Sequence, residues 1–254
     1  MLKAPVRAVT FDLWDCIFID DSDEPKRAAA GEKPKPEARR DLLHTFLARH
    51  APIPRETVDL ACDITDAAYR KVWHDQCVTW TVRDRLDVVL TGLGRTLPDG
   101  ELAELVKLHE EMELDFRPDP VPGVHAALAA LKEKYKLGVV SDAIFSPGRV
   151  LRELLAGEGL VDYFDAFVFS DECGRSKPAP AVFVAAAERL AVSLDELVHI
   201  GDRPYNDVEG ADRVGARAVL LTVVKDRSAA DCPAAAVCDH YSKLPSILED
   251  LDKR

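Results

Sequence analysis

The chain has no C-x-x-C pair, and its six cysteines (Cys16, Cys62, Cys77, Cys173, Cys232 and Cys238) show no zinc-type spacing. Nor do any two of its seven histidines stand at metal-helix spacing, so they read as structural or surface residues. No uninterrupted apolar stretch approaches membrane-spanning length. Positive charge is in deficit: 33 Lys and Arg face 45 Asp and Glu, for a formal net charge of -12. That balance argues against nucleic acid and anionic membranes as general partners. It leaves room for a small anionic substrate in a locally positive pocket. Gly92-Leu93-Gly94 lacks the third glycine and the preceding strand of a dinucleotide-binding fingerprint. A secretory leader is not expected either, because Asp12 and Asp15 interrupt any apolar region after Lys3 and Arg7. The cysteines therefore read as free thiols in a reducing cytoplasm.

What remains is an ordinary globular composition, 47% hydrophobic and 31% charged over 254 residues. That length suffices for one large domain or two modest ones. Val6, Ala8, Val9 and Phe11 form a short apolar run that suits a buried parallel strand. Asp20 to Pro36 is polar and reads as a linker or flap with solvated charges. From Pro36 to about Phe116 the periodicity is helical: Leu42, Leu43, Phe46 and Leu47, then Val58, Ala61, Ile64, Ala68 and Val72 after Pro54. Leu86, Val89 and Leu90 mark a third helix, and Leu102, Leu105, Val106 and Met112 a fourth.

After Pro118, Pro120, Pro122 and Gly123 the pattern alternates between helix and strand. Helices are expected over about 124–135, 148–155, from Pro180 onward, and 207–214; strands over 137–140, 167–169, 198–200 and 218–221. This alternation predicts an α/β fold, a doubly wound, Rossmann-like parallel sheet with an inserted all-helical cap. The core would comprise residues 1–20 and 118–254, and the cap with its linkers residues 21–117.

In such a sheet the strand ends meet in one crevice. Asp12, Ser141 and Asp202 each terminate an expected buried strand, and Asp207 follows closely. Asp207 alone could simply favour a helix N-terminus capped by Asn206. Three carboxylates together would repel and raise one another's pKa unless a cation relieves them, and Mg2+ prefers carboxylate and water oxygens. Lys177, in Gly174-Arg175-Ser176-Lys177-Pro178-Ala179-Pro180, precedes a helix, where a cation is electrostatically unfavourable. A reach toward the Asp12 cluster would account for it.

These stretches resemble the haloacid dehalogenase-like hydrolases. The resemblance lies in Phe11-Asp12-Leu13-Trp14-Asp15-Cys16, Val139-Val140-Ser141-Asp142, Lys177-Pro178-Ala179-Pro180 with Phe183, and Gly201-Asp202-Arg203-Pro204-Tyr205-Asn206-Asp207. It implies Asp12 as a covalent nucleophile, with Ser141, Asp142 and Lys177 binding the transferred group. It also implies Mg2+ held by Asp12, the Trp14 carbonyl and Asp202, with Asp207 nearby. The helical block would be the cap that closes over the site.

The chain departs from the family pattern at Trp14, where family phosphatases usually carry an acid–base aspartate. Asp15 follows one residue later, and Cys16 replaces the usual threonine. The leading reading is a Mg2+-dependent phosphatase acting on a small phosphorylated metabolite through an aspartyl-phosphate. Loss of general acid help, worth about 10²–10⁴ in rate, would favour activated leaving groups. One alternative is a 2-haloacid dehalogenase using Asp12 on a halogenated acid, with Arg39 or Arg40 at the substrate carboxylate; for both arginines a surface position is expected. Another is a weakly active or inactive member that binds a ligand or a protein. Tyr69, Arg70, Trp73, Trp80 and Arg83 in the cap could contact substrate, but none is assigned to the site.

Overall fold

The computed structural model describes residues 4–227 and 232–253. Six strands form one wholly parallel sheet: β1 (Ala8–Phe11), β2 (Lys136–Ser141), β3 (Ala166–Phe169), β4 (Leu197–Gly201), β5 (Arg217–Leu221) and β6 (Ala236–Cys238). Their order is β3-β2-β1-β4-β5-β6, so the winding reverses at β1. A switch point of this kind opens a crevice at the carboxyl ends of the strands. Phe11 stands in register with Val139 on one side and Ile200 on the other. Asp12 is the next residue, and its amide donates to the Ile200 carbonyl at 2.8 Å.

The inner strands read as near-continuous apolar runs, interrupted by Thr10 and His199, because both sheet faces are covered. One face carries Val9, Phe11, Val139, Val198 and Val219. These pack under α7 (Val124–Lys132), α8 (Gly148–Gly157) and α12 (Leu244–Asp252). The other face carries Ala8, Val140, Val168, Ala218 and Leu220. These pack under α10 (Pro180–Leu190) and the short α11 (Gly210–Asp212). The short helix α9 (Ser170–Cys173) follows β3 directly.

All the helices between β1 and α7 belong to the inserted segment. They are α1 (Glu24–Ala29), α2 (Lys35–Ala48), α3 (Arg55–Gln76), α4 (Val82–Gly92), α5 (Asp99–Glu110) and α6 (Met112–Asp115). A third apolar cluster, with Leu43, Phe46, Leu47, Val58, Leu86 and Leu105, holds this cap together. Thr81 and Asp84 close a reciprocal capping box at the start of α4. The cap touches the core through a bridge between Val78 and Arg175 and through the Ser176 amide, which donates to the Cys77 carbonyl at 2.9 Å.

Several expectations need correction. The polar stretch 20–36 is not a solvated linker: it contains α1, and Asp23, Arg27 and Lys35 are buried. Lys35 Nζ lies 2.7 Å from Asp23 and 3.1 Å from Glu113, so charges that look free in sequence neutralise one another. The helix expected over 207–214 begins earlier, as a wide π-helical turn over Pro204–Glu209. Helix α7 ends at Lys132 rather than near Tyr135, and Met112 lies on α6 rather than α5. Strand β6 and helix α12 have no counterpart among the expected elements. Among the described residues, no helix is long and apolar enough to cross a membrane. All six cysteines are free thiols.

Candidate active site

Asp12 leaves the end of β1 buried, and Lys177 comes to it from the loop before α10. Lys177 Nζ sits 2.7 Å from Asp12 Oδ1 and 2.6 Å from Asp207 Oδ1. All three side chains are almost wholly excluded from solvent. Burial works against the lysine charge, yet Asp12, Asp207 and Asp142 hold the ammonium above the ordinary lysine range. Burial likewise works against the Asp207 carboxylate, but Lys177 and His199 prevail and keep it well below the usual carboxylate range. The Leu13 amide also donates to Asp12 Oδ1, at 2.7 Å. Asp12 Oδ1 is therefore occupied by two donors, while Oδ2 takes no hydrogen bond from the described residues.

The turn after β4 fixes the second half of the cluster. Asp207 Oδ2 accepts from the Arg203 amide at 2.9 Å, so Asp207 itself satisfies the start of its turn. Asn206 does not cap that turn; its Nδ2 donates to the Lys177 carbonyl at 3.3 Å. Gly201 is required by close approach: a Cβ there would collide with the Asp207 side chain. Asp202 has one oxygen, Oδ2, held by Arg227 Nε at 2.6 Å, while Oδ1 is buried with no partner among the described residues. Its pKa is pushed up to about 6, first by burial and then by repulsion from Asp12 and Asp207.

The structure thus brings Asp12, Lys177, Asp202 and Asp207 together. One carboxylate oxygen of each of the three aspartates lies within 4.8 Å of the others. That donor set is all hard oxygen, as Mg2+ demands, and the unpartnered Asp202 Oδ1 is the atom such an ion would satisfy. The residues present therefore fit a divalent cation. Trp14 lies in the turn beyond Asp12, half-buried against the core. Ser141 ends β2, and its buried hydroxyl has no partner among the described residues. Asp142 Oδ1 accepts the Lys177 amide at 2.9 Å. Burial pushes Asp142 up to about 6, against the pull of Lys177.

Four neighbours escaped the sequence reading. His199, in the middle of β4, is wholly buried: Nε2 donates to Asp207 Oδ1 at 3.2 Å and Nδ1 faces the Thr10 hydroxyl at 2.9 Å. A histidine inside a run as apolar as Val198-His199-Ile200 was the available signal, because a polar group buried on both sides needs partners. The Arg203 side chain is raised above its usual range by Asp12, Asp202 and Asp207, against the opposing pull of burial, which is the larger single influence. Arg227 and Lys225 gave no local signal at all. Their target, Asp15 Oδ2, lies at 2.9 and 2.8 Å but more than 200 positions away.

The cap arginines separate. Arg40 is partly exposed and pairs with Asp63 at 2.6 Å. Arg39 is buried, contrary to the surface position expected for it, with its guanidinium 3.8 Å from the centre of the Phe145 ring. Tyr69, Arg70 and Trp73 line a cavity beside it.

Fold and site together describe a hydrolase of the doubly wound α/β type with a helical cap. A family profile for haloacid dehalogenase-like hydrolases matches residues 6–215, and the chain belongs to that family. It is 35% identical over 220 residues to the 5-amino-6-(5-phospho-D-ribitylamino)uracil phosphatase YigB of Escherichia coli, covering 85% of this chain and 83% of that one. It is 38% identical over 97 residues to a glyceraldehyde 3-phosphate phosphatase of Methanopyrus kandleri, covering 38% of this chain and 40% of that one. The chain spans about half the length of the glyceraldehyde 3-phosphate phosphatases it matches. A crystal structure of a 2-haloacid dehalogenase from Pseudomonas syringae superposes with a TM-score of 0.69 at 25% identity, covering 96% of this chain and 99% of that one.

Proposed function

We propose that this chain is a Mg2+-dependent phosphatase of small phosphorylated metabolites, working through an aspartyl-phosphate on Asp12. The observation that carries the reading is the buried trio of carboxylates around one lysine, with Asp202 Oδ1 left unpartnered. Relatives named as phosphatases support it. Asp12, the Trp14 carbonyl and Asp202 would hold the cation, with Asp207 nearby; when bound it supplies charge neutralisation for the transferred group.

Asp12 Oδ2, the oxygen free of donors, forms the new bond to phosphorus while the bond from phosphorus to the leaving oxygen breaks. Lys177 offsets negative charge, and the Ser141 hydroxyl and the groups around Asp142 orient the phosphoryl oxygens. The departing oxygen takes its proton from solvent. Water then attacks phosphorus, releasing inorganic phosphate and restoring the Asp12 carboxylate. Asp15 does not replace the acid missing at Trp14. Its Oδ1 accepts the Asp20 amide at 3.1 Å and its Oδ2 is held by Lys225 and Arg227. Weakly basic leaving groups are therefore favoured.

We take residues 21–117 as the cap, 1–20 and 118–254 as the core, and a reducing cytoplasm as the setting. The partner is a small phosphorylated molecule, with neither nucleic acid nor membrane. Phosphate release from a panel of esters, in wild type and Asp12→Asn, tests the reaction. Equal rates in the two proteins would remove Asp12 as nucleophile. The dehalogenase alternative draws on buried Arg39 and on the 2-haloacid dehalogenase neighbour. It predicts halide release from 2-chloropropionate in the presence of chelator.

A further inference from the structure

A cavity at the cap lies outside the carboxylate cluster. It measures about 440 Å³ and sits between the cap helices and the core segment Ile144-Phe145, just beyond Ser141 and Asp142. Its walls are largely apolar and aromatic, with Leu43, Val89, Tyr69, Trp73 and Phe145 prominent. Three donors on or beside those walls have no partner among the described residues: Arg39 Nη2, Tyr69 Oη and Trp73 Nε1. All three atoms are buried, and the Arg39 and Tyr69 residues are only 6% and 3% exposed.

Arg39 is the decisive residue. Its Nε makes one long contact, 3.4 Å, to the His109 carbonyl, and among the described residues it forms no salt bridge. Glu113, whose charge it feels most, is committed to Lys35 and to the Ser146 hydroxyl. Arg85 stacks on the same Phe145 ring at 4.0 Å but is paired with Asp66. Burying an unpaired cation is costly, and a ring face compensates it only in part. An anionic ligand would complete Arg39, and the aromatic walls suit a flat body. The cavity adjoins the site through its wall residues Ile144 and Phe145, which follow Asp142 and Ala143 in the loop after β2. Burial pushes the Tyr69 hydroxyl above its ordinary range, with Arg85 pulling it down and Asp142 adding to the push.

We propose that this cavity receives the substrate's leaving group, a planar unsaturated ring bearing a carboxylate that Arg39 binds, with Tyr69 and Trp73 donating to further acceptors. This assignment rests on the phosphatase reading of the Asp12 site. It makes Arg39, Tyr69 and Trp73 specificity-determining residues, distinct from the groups that touch phosphorus.

Two measurements test it. The first compares kcat/KM for 3-carboxyphenyl phosphate and phenyl phosphate, esters with closely matched leaving oxygens. Wild type should favour the carboxylated ester at least about tenfold, and Arg39→Met should erase most of that preference. Tyr69→Phe, the milder variant, should reduce it severalfold. The second is calorimetric binding of 3-(phosphonomethyl)benzoate against its cyclohexane counterpart and against benzylphosphonate. The flat, carboxylated ligand should bind tightest, in an Arg39-dependent way. Ester hydrolysis with no preference for the carboxylate would overturn the cavity assignment and leave the phosphatase reading standing. Arg39-dependent binding without hydrolysis of any ester would support the cavity and sink the phosphatase reading. Ligand-free Arg39→Met should melt no lower than wild type, because it removes an unpaired buried charge; a marked fall would mark Arg39 as structural and refute the proposal.

Discussion

Replacing Lys177 by methionine tests the central arrangement most directly. The ammonium is buried between Asp12 at 2.7 Å and Asp207 at 2.6 Å. Methionine keeps much of the volume and removes the charge, leaving two buried carboxylates facing each other with Asp202 beside them. Removing one partner of a buried ion pair costs about 3–5 kcal/mol, because the other charge is stranded. For a chain of this size each kcal/mol lowers the melting temperature by about 2–4 °C, so a fall of roughly 6–20 °C is expected. The same mechanism fixes the pH response. In wild type, Asp207 is held below its unfolded pKa, so its contribution is present above about pH 4 and is lost as pH falls beneath that. In Lys177→Met the carboxylates raise one another's pKa, so the folded state binds more protons than the unfolded state, and the deficit shrinks from pH 7.5 to 5. A second change, Asp207→Asn, should cost less in the Lys177→Met background than in wild type, with a coupling of about 1–3 kcal/mol. Urea unfolding of the four proteins at both pH values measures this. Additive losses within about 0.5 kcal/mol, or a deficit independent of pH, would refute the reasoning.

Three further outcomes are expected. Gly201→Ala drives a methyl group into Asp207, which its bond to Lys177 prevents from moving away; thermal melts should show a loss of about 1–3 kcal/mol, with weakened Mg2+ binding. Calorimetry should find Mg2+ affinity rising between pH 5 and 7, because the cation displaces the proton that Asp202 carries below about pH 6, and Asp202→Asn should weaken binding at least about tenfold. His109 is held down to about pH 4 by burial, and by Arg39 and Arg85 against its bond to the Leu105 carbonyl. As pH falls from about 6.5 toward 4 the unfolded chain takes up a proton there that the folded chain refuses. Relative to wild type, His109→Gln should therefore gain up to about 3 kcal/mol across that window in urea titrations, and parallel curves would count against it.

Much of the fold was legible because its strands are covered on both faces. Strands β1 to β5 read as largely apolar runs, and those of β1, β2 and β4 lead to Asp12, Ser141 and Asp202, the residues that meet in the crevice. Strand β6 left no such run: Ala236-Val237-Cys238 is three residues long at the sheet edge, with Val237 exposed. Helix α12 did leave a signal. Leu244, Leu248 and Leu251 recur at i, i+4 and i+7 and are buried against the sheet. The stretch 20–36 looks like a solvated linker in sequence because local charge density carries no information about partners. Lys35 meets Glu113, 78 positions away, and only the packed fold brings them together.

At the site, Asp12, Lys177, Asp202 and Asp207 were legible from strand ends and from a lysine that helix electrostatics could not explain. What the sequence could not convey is the direction in which Asp15 faces. It stands one position past Trp14, and in one dimension it looks like a displaced acid. Its backbone is left-handed, at φ 56°, and its buried carboxylate turns toward the segment after β5. There Lys225 and Arg227 neutralise it, and Arg227 reaches on to Asp202. The negative charge therefore divides into two sets. Asp12 and Asp207 share Lys177, while Asp15 and half of Asp202 share Arg227. Of these four carboxylates, only the far oxygen of Asp202 and the free oxygen of Asp12 remain unclaimed by protein donors among the described residues. A shift of one residue along the chain thus converts a carboxylate from a proton donor at the crevice into the counter-ion of a distant loop.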